Sequence, residues 1–104
     1  MDYYSLYVTT KTADEARTIG RALVEARLVA CVNIVGKIES IYQWEGKLNE
    51  EEESLFFAKT TSASLQAAMA KIKELHSYDC PCIVALPIEA GHEPYLAWID
   101  EQTT

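Results

Sequence analysis

Short alternating runs of β-branched and aromatic residues, two segments with apolar residues at helical spacing, and one extended stretch too long for an ordinary strand predict an α+β sandwich. The order is strand, helix, strand, strand, helix, strand, then a short C-terminal helix. That is the split β-α-β, or ferredoxin-like, arrangement: one antiparallel sheet with two helices on one face and right-handed crossovers. With 104 residues, a single domain over 1–104 with one two-layer core is expected.

Residues 3–10, YYSLYVTT, predict the first strand. Thr12-Ala13-Asp14-Glu15 spells a capping box, in which Thr12 caps the helix and Glu15 reaches back. The helix turns Ala16, Ile19, Gly20, Leu23 and Leu28 toward a core and leaves Arg17, Arg21, Glu25 and Arg27 mostly on the other side. From Ala30 to Gly46 almost every residue suits an extended backbone, and the stretch outlasts a strand of about five or six residues. A long hairpin ribbon bent at Gly36-Lys37 is predicted, with Ser40, Tyr42 and Trp44 on one face and Ile41 and Gln43 on the other. Both faces carry apolar groups, so the second is expected to meet another subunit.

Glu45-Gly46-Lys47 reads as a turn, and the acidic run Glu50 to Glu53 as the solvated end of the hairpin. Residues 54–60, SLFFAKT, suit a short strand at the sheet centre. Thr61 or Ser62 caps a second helix with Leu65, Ala68, Met69, Ile72 and Leu75 at helical spacing, and that helix stops before Pro81. Ile83 to Ile88 is another strand, which Pro87 marks as an edge or an irregular end. Gly91 and Pro94 open the last helix, through Tyr95 to Ile99.

The net charge of −7 argues against nucleic acid as a partner, since little here would displace counterions from phosphates. No apolar run approaches the roughly 20 residues of a membrane span, and no membrane partner is expected. The start, Met1-Asp2-Tyr3-Tyr4, lacks the basic and apolar regions of a signal peptide, so a cytoplasmic protein is expected. Three cysteines, an odd number, fit reduced thiols better than a disulfide framework.

Cys80-Pro81-Cys82 is the most chemically suggestive triplet. In an extended segment residues two apart point to the same side, so both sulfurs can face one ion. Thiolates are soft ligands that favour Cu(I) or zinc. His76 adds a nitrogen and Asp79 an oxygen, which makes His76, Cys80 and Cys82 the candidate metal ligands. The spacing is not an established zinc pattern, Pro81 restricts the approach of the thiols, and the triplet also reads as two small residues packed at a strand start. Cys31 reads as a packed thiol. His92, with Glu89 and Glu93, reads as a solvated helix cap or a hard-ion cluster.

Tyr42, Trp44, Lys59, Glu53 and Trp98 are the candidates for an intersubunit cleft or interface, because aromatic anchors dominate protein interfaces. Glu53, Leu55, Phe57 and Lys59 share a strand face, so Lys59 needs a partner or an exit to water. There is no Gly-rich phosphate loop, no Ser/His/Asp arrangement and no paired-carboxylate motif, so a non-enzyme is expected.

The blocks ACVNI at 30–34, SIYQWEGK at 40–47, Glu53 with KT at 59–60, PI-x-x-G at 87–91 and YL-x-WI at 95–99 together resemble the CutA divalent-ion tolerance family across essentially the whole chain. The resemblance implies a ferredoxin-like domain assembled as a compact homotrimer, with the long hairpin strands pairing with those of neighbouring subunits. It also implies tolerance to copper and other divalent metal ions, which several members bind, and no organic cofactor. Trimeric signalling proteins of the PII kind share the architecture, so a regulatory module holding a small effector between subunits is the alternative. One segment departs from the family pattern HPY-x-x-PEI. Residues 76–83 read HSYDCPCI, with Ser77 in place of a proline and Cys82 in place of a glutamate.

Overall fold

Alternation sets the two faces of the sheet in its first strand, β1 (Tyr3–Thr10), where Leu6, Val8 and Thr10 are buried and the residues between them are half-buried. The computed structural model describes residues 2–104. β1 is followed by α1 (Ala13–Glu25), β2 (Cys31–Trp44), β3 (Lys47–Thr61), α2 (Ser62–Leu75), β4 (Ile83–Ile88) and α3 (Glu93–Gln102), in the order the sequence predicts. The strands make one antiparallel sheet ordered β2-β3-β1-β4. Leu6, Val8, Phe56 and Ala58 on its covered face meet Ala16, Ile19 and Leu23 of α1 and Ala68 and Ile72 of α2.

The capping box forms. Thr12 Oγ1 accepts the Glu15 N–H at 3.1 Å, and the Glu15 carboxylate reaches back one residue further than the usual box, to the Lys11 N–H at 3.1 Å. A Cβ on Gly20 would lie 3.0 Å from Val32 Cγ1, so the missing side chain is what lets α1 press onto β2. α1 ends at Glu25. Leu28 reaches the core from the following loop. Arg27, at φ 60, donates from Nε to the Thr104 carbonyl and from Nη2 to the Glu101 carbonyl, each at 2.7 Å. This arginine therefore caps the C-terminal end of α3, where unpaired carbonyls concentrate negative charge.

The acidic run is not a hairpin end. The turn has only two residues, Glu45 (φ 51) and Gly46 (φ 76), both left-handed, and β3 starts at once with Lys47 opposite Trp44. Two left-handed residues match the right-handed twist of the flanking strands, so pairing resumes without a loop. Glu50, Glu51, Glu52 and Glu53 accordingly lie in β3 opposite Ile41, Ser40, Glu39 and Ile38. The predicted bend is present as a register shift between Val35 and Ile38, where the Ser54 hydroxyl donates to the Gly36 carbonyl.

β1 covers β3 only from Ser54 to Thr61. Beyond Ser54 the β2–β3 hairpin continues as a two-stranded arm, which makes the molecule 44 Å long but only 25 × 22 Å across. In α2, Thr61 takes the cap position without a side-chain cap bond, and Leu75, the last helical residue, is exposed rather than turned inward. β4 is an edge strand that accommodates Pro87 opposite Tyr4.

Phe56 is fully buried between the sheet and both helices. Phe56→Ala is expected to destabilise the fold by about 3–5 kcal/mol through lost transfer energy and a residual cavity. The measurement is a lower urea midpoint with an unchanged slope.

Candidate functional site

The segment from His76 to Cys82 joins α2 to β4, and its backbone is set by side chains from three other elements. The chain turns extended at His76 (ψ 141), whose ring lies inside the fold. Its Nε2 bonds the Thr9 carbonyl at 2.8 Å, and its Nδ1 accepts the Tyr78 N–H at 3.1 Å. A carbonyl on one nitrogen and an N–H on the other assign the neutral tautomer protonated at Nε2. Glu15 Oε2 lies 3.9 Å from Nδ1 and accepts the Ser77 N–H at 2.8 Å. Burial pushes the Glu15 carboxyl up, but hydrogen bonds from Ser77 and Lys11 outweigh it and hold the group below its ordinary value.

Tyr78 leans against the His76 ring at 4.9 Å between centroids, and its hydroxyl donates to Glu53 Oε2 at 2.7 Å. Burial, then the Glu53 carboxylate, raises the Tyr78 phenol well above its usual value. The Lys73 ammonium donates to the Asp79 carbonyl at 3.3 Å. The backbone up to Asp79 is thus anchored. Cys80 and Cys82 follow on the surface, both free and exposed, with Pro81 half-buried between them.

The three predicted metal ligands are not gathered. Both ring nitrogens of His76 are occupied inside the fold, while the two thiols face outward. Among the described residues no three His, Cys, Asp or Glu side chains gather in a group able to hold an ion. His92 is exposed at the cap position of α3 without a side-chain cap bond.

The interface candidates fall in three places. Lys59 finds its partner in Asn33, whose Oδ1 accepts from Nζ at 2.8 Å. Cys31, directly opposite Lys59 in the sheet, has its sulfur 3.3 Å from the Tyr95 hydroxyl, and the Tyr95 ring packs on Trp98 at 5.5 Å. That contact with Cys31 and partial burial push the Tyr95 phenol up to about 12. Tyr42 lies opposite Asn49, ten residues from Lys59 along β3, about 33 Å at the usual rise per residue. Tyr42, bonded to Glu51, and Trp44, 54% exposed, therefore stand on the arm, away from Lys59 and Trp98. Glu53 belongs with neither set, because Tyr78 holds it at the base of the arm. A separate groove of about 320 Å³ opens between α1 and β2, with Val24, Val32 and Ile34 as its apolar lining and Arg17 and Arg21 beside them.

Sequence reasoning found Glu15 only as a helix cap and gave Tyr78 no role. Glu15 meets Ser77 and Tyr78 meets Glu53 across 62 and 25 positions, and no local pattern signals such pairs.

The profile of the family described as CutA1 divalent ion tolerance protein matches residues 4–102. The chain is 47% identical to the divalent-cation tolerance protein CutA of Thermus thermophilus over 96 residues, which cover 92% of this chain and 93% of that one. It is 41% identical to the human protein CutA over 97 residues, covering 93% of this chain but only 54% of the human one, so it spans about half of that longer relative. Among solved structures, the divalent cation tolerance protein (Cut A1) of Thermus thermophilus superposes with a TM-score of 0.95 at 44% identity, covering 98% of this chain and 99% of that one. CutA1 from Oryza sativa superposes with a TM-score of 0.96 at 36% identity, covering 100% and 95%.

Glu15→Gln is expected to lower stability at pH 7 by about 1 kcal/mol, since a neutral amide is the poorer acceptor for two backbone N–H groups. Because the folded carboxyl is held low, its contribution is full above the unfolded value of about 4.3 and is lost as pH falls through the folded one. Urea midpoints of the two proteins should therefore differ at pH 7 and converge toward pH 3.

Proposed function

The chain belongs to the CutA1 divalent ion tolerance protein family, and from that premise we propose that it acts as a homotrimer binding copper or a similar divalent metal ion in the metal-ion response. The observation that carries the metal reading is the pair of free, exposed thiols at Cys80 and Cys82, two residues apart at the entry to β4. Two thiolates make a soft donor set that suits Cu(I) or zinc and discriminates against magnesium and calcium. His76 contributes by position: its buried ring fixes the start of the segment that presents the sulfurs.

The arm supports the trimer reading. Ile41, Trp44 and Leu48 are 65%, 54% and 64% exposed on a two-stranded ribbon that no helix covers. A lone hairpin is marginal in water, so these groups need a second surface to bury against. Three free cysteines accord with a reducing compartment, and we place the protein in the cytoplasm.

Titrating the reduced protein with copper and reading native mass spectra tests the metal proposal. Trimers with a fixed number of ions per chain are expected, and the Cys80→Ser, Cys82→Ser double variant should carry none there. Trimers that stay metal-free at every ratio would overturn it. Trp44→Glu is expected to dissociate or loosen the trimer in light scattering, since an unpaired charge at a buried contact costs several kcal/mol.

A further inference from the structure

The two thiols of the Cys80-Pro81-Cys82 segment are also placed for chemistry on each other. Exposure alternates along the segment: Cys80, Cys82, Val84 and Leu86 are exposed, and Pro81, Ile83 and Ala85 are half-buried. Ile83 and Ala85 pack against the core, so both cysteines emerge on the side away from it. They are therefore not the packed thiols that a strand start often holds.

The chain is fixed on both sides of them. Before Cys80, His76 is tied to Thr9, Ser77 to Glu15, Tyr78 to Glu53 and the Asp79 carbonyl to Lys73. After Cys82, Ile83 pairs with Val8 in the sheet. Two residues of extended chain span about 6.6 Å, at the upper end of the roughly 4.4–6.8 Å between the Cα atoms of disulfide-bonded cysteines. An extended pair already falls inside that range, and Pro81 holds one torsion of the ring to be closed.

We infer that Cys80 and Cys82 form a reversible intrachain disulfide, a thiol–disulfide exchange site toward small disulfides of the glutathione type. One thiolate attacks a sulfur of the small disulfide, whose S–S bond breaks and releases one thiolate. The second cysteine, deprotonated, attacks the mixed disulfide and releases the other. The protein loses two protons and two electrons, and the small disulfide, which takes them up, becomes two thiols. A bridge across one intervening residue is strained, and strained, exposed disulfides are the easily reduced ones. The reaction needs no metal ion. Where an ion does bind the same thiolates, as proposed above, oxidation removes both donors at once.

The test equilibrates the full-length protein, with chelator present, in buffers of varied reduced-to-oxidised glutathione ratio, followed by alkylation and peptide mass mapping. The expected result is an unalkylated peptide containing residues 80–82, two hydrogens lighter, that reverts at reducing ratios and forms equally in Cys31→Ser. Cys80→Ser and Cys82→Ser should each stop at a persistent glutathione adduct on the remaining thiol. Both thiols staying alkylatable at the most oxidising ratio would overturn the inference, as would glutathione adducts or interchain links in place of the intrachain bond. Copper titration of the reduced protein stays a separate arm, so disulfide formation without metal binding would count against the metal reading alone.

Discussion

The pairing of β2 with β3 is the constraint on which the rest of this structure depends. β3 bonds β1 along one half of its length and β2 along nearly all of it. The shared half puts Phe56 and Ala58 beneath α1 and α2 and so builds the core. The unshared half has only β2 for company. The register shift after Val35 separates the two regimes: before it β2 packs on α1, and after it, Ile38 and Ser40 apart, the strand is exposed.

That division explains the composition of the arm. It carries large apolar side chains without a layer to bury them, and Glu39 stands directly opposite Glu52. Like charges facing each other across a ladder oppose pairing by a few tenths of a kcal/mol or more, and a two-stranded ribbon gains little to offset this. An isolated chain would hold the arm weakly. A second surface that covers Ile41, Trp44 and Leu48 would supply the missing burial.

The opposite principle governs the segment between α2 and β4. There the polar groups are partnered: a neutral histidine between a carbonyl and an N–H, a carboxylate accepting two backbone N–H groups, a phenol on a second carboxylate. No buried side-chain nitrogen or oxygen among the described residues lacks a hydrogen bond. Satisfied networks of this kind fix geometry, because each alternative arrangement leaves a buried polar atom without a partner. These bonds hold the backbone up to Asp79, just before the exposed cysteines.

Much of the fold was legible in the sequence because its signals are local. Thr12 and Glu15 lie three residues apart, Glu45-Gly46 is a two-residue turn, Gly36 marks its own bulge, and the periods of two and 3.6 repeat within a single element. Those cues fixed the element order and the hairpin. Glu50 to Glu53 misled because charge reports exposure, and a two-stranded arm is exposed and still paired. What only the tertiary structure decided were contacts set by sheet order and helix docking: Arg27 on the carbonyls of α3, Lys59 on Asn33, Glu15 under Ser77, and His76 turned inward from the thiols it was expected to join. A side chain's neighbours across 26 to 77 positions depend on which strands lie side by side, and no local spacing encodes that.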